Sequence, residues 1–290
     1  MQAVVLWRAT RSYSLPASVV PVFLGTVLAA RGFGGLGAHF NWVTFIVVLI
    51  GAILAHFGAN ILNDYFDFLK GVDTRPEHGS GVLTSGQMKP AQALAFALML
   101  FGGAAICGIA LLRTNPAIVI SLGLSGLACA VLYPAFLKKY GLGDVLIVLA
   151  FGFGLTLGAY GVQLPFHSGH QVLLIAFFAL PICLLVDAIL HANNLRDAAD
   201  DRAANVWTLA TALPISAARW LQQLLLFGPL LFVVVSVLIH LLPVWSLGTF
   251  LALPFLLRAS RSESVPGTAQ AHLIFGVFYT ASFLFSPTLD

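Results

Sequence analysis

The stretch from Trp42 to Asp67, WVTFIVVLIGAILAHFGANILNDYFD, is apolar almost without interruption as far as Leu62 and then presents Asn63, Asp64 and Asp67. A bilayer core of roughly 30 Å asks for about 20 apolar residues in one helix. Lipid offers the backbone no partners, so such a run satisfies its N–H and C=O groups internally, as a helix. The rest of the chain repeats the pattern. Of its 290 residues 59% are apolar and 9% charged, and the mean hydropathy is +0.96. Soluble domains carry roughly 25% charged residues. This composition excludes a disordered chain, a nucleic-acid binder and a secreted disulfide scaffold. The net charge of +3 names no partner. Cys107, Cys129 and Cys183 lie in apolar runs and read as small packing residues. Residues 1–13 carry Arg8 and Arg11, and no cleavage site of a signal peptide follows.

Nine stretches read as spans: 14–30, 42–62, 91–112, 116–136, 142–164, 172–192, 215–241, 245–257 and 269–285. They are long, rich in Leu and Ala, and lack the alternation of a lipid-facing barrel. The expectation is an all-α integral membrane protein, one domain over 1–290. All of the 14 lysines and arginines except Arg31 and Arg113 fall on the side that holds the N-terminus. The positive-inside rule then predicts N-terminus in and C-terminus out, in the cell membrane. Every acid except Asp290 lies on or near the same cytoplasmic face, in or beside the segments 63–90, 137–141 and 193–214 and the short one before the last span.

Most of these acids belong to two segments. The first holds Asn60, Asn63, Asp64, Asp67, Lys70, Asp73 and Arg75; the second holds Asn193, Asn194, Arg196, Asp197, Asp200, Asp201 and Arg202. The pattern Asn-[Asp/Asn]-x-x-Asp occurs in both, at the end of an even-numbered span, which suggests an internal repeat. On a helix Asn63 and Asp67 share a face, as do Asp197 and Asp201. Carboxylate faces meeting across a cavity repel unless cations sit between them. Hard oxygen donors, one or two carboxylates per ion, are what Mg²⁺ takes when it also holds phosphates. Helix capping accounts for a single Asn or Asp at a terminus, but not for two matched clusters. His56 and His191 each precede a cluster and read as hydrogen-bonding neighbours rather than ligands. The competing class is a secondary transporter. Its coupling sites usually lie near the bilayer midplane on broken helices, whereas these acids sit at one end.

At these residues the chain resembles the UbiA superfamily of intramembrane prenyltransferases. Asn63-Asp64-x-x-Asp67 with Lys70-Gly-x-Asp73 is similar to its first motif, and Asn193-Asn194-x-Arg196-Asp197-x-x-x-Asp201-Arg202 to its second. The Lys-Gly-x-Asp ending and the Asn-Asn-x-Arg-Asp form look most like the menaquinone branch, the 1,4-dihydroxy-2-naphthoate prenyltransferases. Arg11-Ser-Tyr-Ser14, Tyr133-Pro with Lys138-Lys139-Tyr140, and Gly141-Leu-Gly-Asp144 agree with it. Where that branch has a basic run before Thr-Leu-Ala, this chain has Asn205-Val206-Trp207. The resemblance implies nine helices and Mg²⁺-dependent transfer of a polyprenyl group from its diphosphate to an aromatic acceptor. It also implies Asn63, Asp64, Asp67, Asp197 and Asp201 as metal ligands, with Asp67, Asp197 and Asp73 catalytic. Asn60, Asn63, Lys70, Asn193, Asn194 and Arg196 become substrate contacts, Arg75, Lys138 and Arg202 phosphate partners, and Tyr133 a ring facing the allylic cation. Other acceptors (4-hydroxybenzoate, homogentisate, chlorin, porphyrin) stay open. The expected partners are the prenyl diphosphate, the acceptor and the lipid bilayer; no segment marks an obligate protein partner.

Overall fold

The computed structural model describes residues 2–32, 40–72, 79–133 and 140–285. Among them all regular structure is helical, with no strand. The order is α1 (Ala3–Ala9), α2 (Pro16–Ala30), α3 (Trp42–Leu69), α4 (Pro90–Leu111), α5 (Pro116–Leu132), α6 (Gly143–Ile147) and α7 (Leu155–Gln163). Then come α8 (Gly169–Ala203), α9 (Leu209–Ala212), α10 (Ile215–Leu238), α11 (Leu253–Ser262) and α12 (Val265–Leu284). The starts are written in the sequence. Asn41 Oδ1 accepts the N–H of Thr44 at 3.0 Å, Ser264 Oγ that of Gly267 at 3.1 Å, and Pro16, Pro90 and Pro116 open their helices. An oxygen at the cap and a proline in the first turn suit donors that have no helical partner.

Among the described residues six stretches are long and apolar enough to cross a membrane: Ser12–Ala30, Trp42–Leu69, Pro90–Leu111, Gly143–Gln163, Gly169–Ala203 and Ile215–Leu238. The other three expected spans are helical but outside that set. α5 has 17 residues, residues 244–262 form a 3₁₀ stretch (Val244–Ala252) running into α11, and α12 carries Thr268, Gln270, His272, Thr280 and Ser282. Among the boundaries that move, two bear on the site. α3 continues to Leu69 and α8 to Ala203, so the segments expected to begin at 63 and 193 start as the last turns of helices. The expected unbroken span 142–164 is interrupted, because Val148–Gly154 is wound as π-helix between α6 and α7. Such widenings are rare and frequent at functional sites.

α8 forms the middle of the bundle, with α2, α7, α10 and α12 around it. Leu24, Leu28, Phe178, Ile182, Leu185, Leu226, Phe275 and Tyr279 make the buried core there. A Cβ on Gly25 would run into the carbonyl oxygen of Thr156, so only glycine lets α2 lie this close to α7. A second core under α3 and α4 holds Ile61, Leu62, Val82, Leu83, Met88 and Ala97. Leu98, Met99, Ile106, Ile109, Leu124, Leu231 and Leu238 stand exposed on the outside, an apolar surface that suits lipid.

Candidate active site

The last turns of α3 and α8 face each other across a polar cavity. α3 contributes Asn63 and Asp67; α8 contributes Asn193, Asn194, Asp197, Asp200 and Asp201; Arg11, Val72 and Gly79 complete the wall. Helical spacing does the positioning. Asn63 Nδ2 donates to Asp67 Oδ2 at 2.8 Å, and Asn193 Nδ2 donates to Asp197 Oδ2 at 3.3 Å, each pair four residues apart. The structure thus brings together residues that lie 130 positions apart in the sequence.

The carboxylates differ in what balances them. Asp64 is buried and paired with the Arg11 guanidinium, and its second oxygen accepts the Ser80 N–H at 2.9 Å. Asp197 meets Arg196 in a two-armed fork, Nε to Oδ1 and Nη2 to Oδ2, both 2.7 Å; Nη2 also reaches Asn193 Oδ1 at 3.0 Å. Forks of this kind fix geometry as well as charge. Asp67 is 2% exposed. Asn194 is buried at the cavity, and its Nδ2 finds no acceptor among the described residues.

Beside the polar cavity lies a chamber of about 160 Å³ with mostly apolar walls. Ala17, Cys129, Ala130, Leu146, Ile147, Phe151, Ile189 and Leu190 line it, with Tyr13, Ser14, His56, Asn60 and Tyr133 as its polar members. Arg11, Asn63, Asn193 and Asn194 belong to both cavities and form their shared rim. The π-helical turn matters here, since it carries Phe151 into the chamber wall.

Several expected site residues go elsewhere. Asp64 does not line the polar cavity, because Arg11 and Ser80 hold it from behind. Lys70 sits 5.7 Å over the Phe66 ring and lines neither cavity. Arg202 donates to the carbonyls of Ala210, Thr211 and Leu213, closing the end of α9 rather than facing the cavity. Asp73, Arg75 and Lys138 lie outside the described residues. The two histidines diverge. His56 lines the chamber, whereas His191 turns to the Ala218 carbonyl (2.9 Å) and toward Asp144, lining neither cavity. Arg11 and Asp200 join the polar wall without having been assigned a role from sequence. The signal for Arg11 was its place in the Arg11-Ser-Tyr-Ser14 run. Trp207, in the stretch where a basic run was expected, packs on Gly141, whose φ of +67° and missing Cβ leave room for the indole.

The donor set fits a divalent hard cation together with an anion: carboxylate and amide oxygens on two helices, an arginine, and an unpartnered buried amide N–H donor. Among the described residues no three carboxylates or histidines converge as a ready-made cage.

The chain is similar to known proteins in sequence and in fold. The chain is 31% identical over 291 residues to UbiA prenyltransferase domain-containing protein 1 of Danio rerio, covering 96% of this chain and 83% of that protein. To the protein of the same name from Homo sapiens it is 31% identical over 292 residues, again 96% and 83%. Its fold is similar to a UbiA homolog from Aeropyrum pernix K1, with a TM-score of 0.64 and 16% identity over 94% of this chain and 96% of that one. A UbiA homolog from Archaeoglobus fulgidus bound to GPP and Mg²⁺ gives a TM-score of 0.64 at 10% identity, covering 97% and 98%. The UbiA prenyltransferase family model matches residues 18–285, and with two amide–carboxylate helix ends facing one cavity, the chain belongs to the UbiA prenyltransferase family.

Proposed function

We propose that this prenyltransferase moves a polyprenyl group from its diphosphate to 1,4-dihydroxy-2-naphthoate, with loss of CO₂, in menaquinone biosynthesis. The observation that carries the reading is the shared rim: a polar cavity for the diphosphate opens into an apolar chamber for the prenyl chain and the aromatic ring. Asp67, Asp197 and Asp201, with Asn63, are the residues that would hold Mg²⁺, and Asp64 stands behind them as the partner of Arg11. When bound, Mg²⁺ neutralises the charge that develops on the diphosphate as the allylic C–O bond breaks. The homologs bound to GPP and to DMAPP, each with Mg²⁺, support this part of the reading.

The chain's own groups do the rest. Arg11 and the Asn194 amide donate to phosphate oxygens as preorganised donors. Tyr133 presents a ring to the allylic cation from the chamber wall. Arg75, Lys138 and Asp73, outside the described residues, are assigned to the site by the motifs they belong to. The naphthoate acceptor is supported by the form of the two motifs, Lys70-Gly-x-Asp73 and Asn193-Asn194-x-Arg196-Asp197. One domain of nine spans, N-terminus in, with the site at the cytoplasmic face of the cell membrane, is supported by the side on which the basic residues gather.

The test is a panel of aromatic acids incubated in detergent with labelled prenyl diphosphate, with and without a chelator, and read by mass spectrometry. Dihydroxynaphthoate should give the decarboxylated product only when Mg²⁺ is present. Turnover of 4-hydroxybenzoate but not dihydroxynaphthoate rejects the acceptor, and turnover undiminished by chelation rejects the metal.

A further inference from the structure

We propose that Ser14 and His56 form a proton relay that takes the hydroxyl proton of the aromatic acceptor; the inference rests on the acceptor being a hydroxyarene. His56 is 4% exposed, and both of its ring nitrogens meet hydroxyls: Nε2 lies 2.8 Å from Ser14 Oγ and Nδ1 lies 2.7 Å from Ser18 Oγ. A neutral imidazole carries one N–H and one lone pair, so it donates to one of these serines and accepts from the other. Ser14 Oγ also lies 2.8 Å from the Arg11 carbonyl, which the Ser14 N–H already serves at 2.9 Å. The relay takes the arrangement in which the Ser14 hydroxyl donates to Nε2, the base, and Nδ1–H donates to Ser18. Asn60 Nδ2 reaches Ser14 Oγ at 3.2 Å and the Thr10 carbonyl at 2.9 Å, which steadies the hydroxyl. Ser14, His56 and Asn60 all line the chamber, and Phe151 meets the imidazole in a T-shaped contact with ring centres 5.5 Å apart.

The division of groups between the two cavities favours His56. Asp67, Asp197, Asp200 and Asp201 line the polar cavity, the place proposed for the diphosphate. Around the chamber the other charged or titratable side chains are Arg11 and Tyr13 from the N-terminal segment and Cys129 and Tyr133 from the end of α5; the lining residues of α6, the π-helical turn and α8 carry none. Among the described residues that line the chamber, His56 is the one imidazole, the side chain that most often serves as a general base.

The step balances without any further reactant. The acceptor O–H bond breaks and its proton passes to Ser14 Oγ, while the Ser14 proton passes to His56 Nε2. The electron pair left on the acceptor oxygen moves into the ring, and the ring carbon bonds to the first prenyl carbon. The C–O pair leaves with the diphosphate. With a carboxylated acceptor, departure of CO₂ returns its electron pair to the ring, and the proton on His56 goes back to the oxygen, so the relay ends neutral.

His56→Gln keeps hydrogen-bonding capacity but removes the base. It should lower kcat roughly 100- to 10,000-fold, the range of general-base catalysis, while the KM for prenyl diphosphate and its Mg²⁺-dependent thermal shift stay unchanged. The gap from wild type should shrink along a series of ring-fluorinated acceptors with more acidic hydroxyls, which need the base less. If His56→Gln does not fold, Ser14→Ala carries the same test, since the bond from His56 to Ser18 remains. A kcat within about threefold of wild type, or a gap indifferent to hydroxyl acidity, overturns the relay and leaves the prenyl-transfer reading intact. Failure of the wild type to prenylate any hydroxyarene removes both.

Discussion

On α3 the run Asn63-Asp64-x-x-Asp67 and on α8 the run Asn193-Asn194-x-x-Asp197 put an amide four residues ahead of a carboxylate, and in both the amide hydrogen-bonds it. The surroundings part from there. The first wall is braced from a distance: Asp64 takes its cation, Arg11, from 53 residues upstream and an N–H, that of Ser80, from 16 residues downstream. The second wall is braced by its own helix, since Arg196 is the immediate neighbour of the carboxylate it holds. Where α3 has the charged Asp64, α8 has the neutral Asn194, buried and with its amide donor unspent among the described residues. Equal spacing therefore gives equal faces, and the counter-charge decides which oxygens remain for a ligand. Asp64 is committed to holding the N-terminal segment against α3, while Asp67 and Asp197 look into the cavity.

The comparison breaks most visibly if the two facing carboxylates are not a unit. Asp67→Asn and Asp197→Asn should each remove most of the turnover of prenyl diphosphate. The double variant should be little worse than either, because groups that serve one transition state are strongly non-additive. Multiplied losses in the double variant would mean two independent roles.

Next in size is the difference in bracing. Arg11→Gln leaves a buried Asp64 without its cation and should cost about 3–5 kcal/mol. Arg196→Gln touches a pair whose side chains are 35% and 17% exposed, and should cost about 1 kcal/mol or less. Thermal unfolding of the two variants in the same detergent measures the contrast; equal losses would erase the distinction between a remote and a local brace. Restoration of most of the stability by Asp64→Asn in the Arg11→Gln background would sharpen it.

The smallest effect on turnover belongs to Arg202. Its guanidinium caps carbonyls after α8, so Arg202→Ala should lower stability by about 1 kcal/mol and leave the KM for prenyl diphosphate unchanged in steady-state assays. A tenfold rise in that KM would put the guanidinium on the substrate instead.

Much of this was legible in the sequence. Long apolar runs announce helices because lipid gives the backbone no alternative, and the starts expected at 42 and 116 are the first residues of their helices, whereas the last helix begins at Val265 rather than at 269. Asn63 with Asp67 and Asn193 with Asp197 could be read as paired because four residues is one helical turn. The ends at Leu69 and Ala203 were missed because Asp64, Asp67, Asp197 and Asp201 look like loop residues by hydropathy, and a helix tolerates them where they line a polar cavity or, as at Asp64, meet an arginine. The π-helical turn carries no mark in the sequence beyond Gly152 and Gly154; it arises where Gly152 meets Cys183 of α8.

By itself, then, the sequence determined that the chain is a bundle of membrane helices and that two helix ends present matched amide–carboxylate faces, since both follow from hydropathy and from 3.6 residues per turn. Only the tertiary structure decided that those faces share one cavity, that Arg11 goes to Asp64, that Arg202 goes to carbonyls, and that His56 enters the chamber while His191 turns to α10. The physical reason is range. Spacing along a helix sets the direction of a side chain, but its partner is whichever group packing brings within about 3 Å, and that group can come from anywhere in the chain.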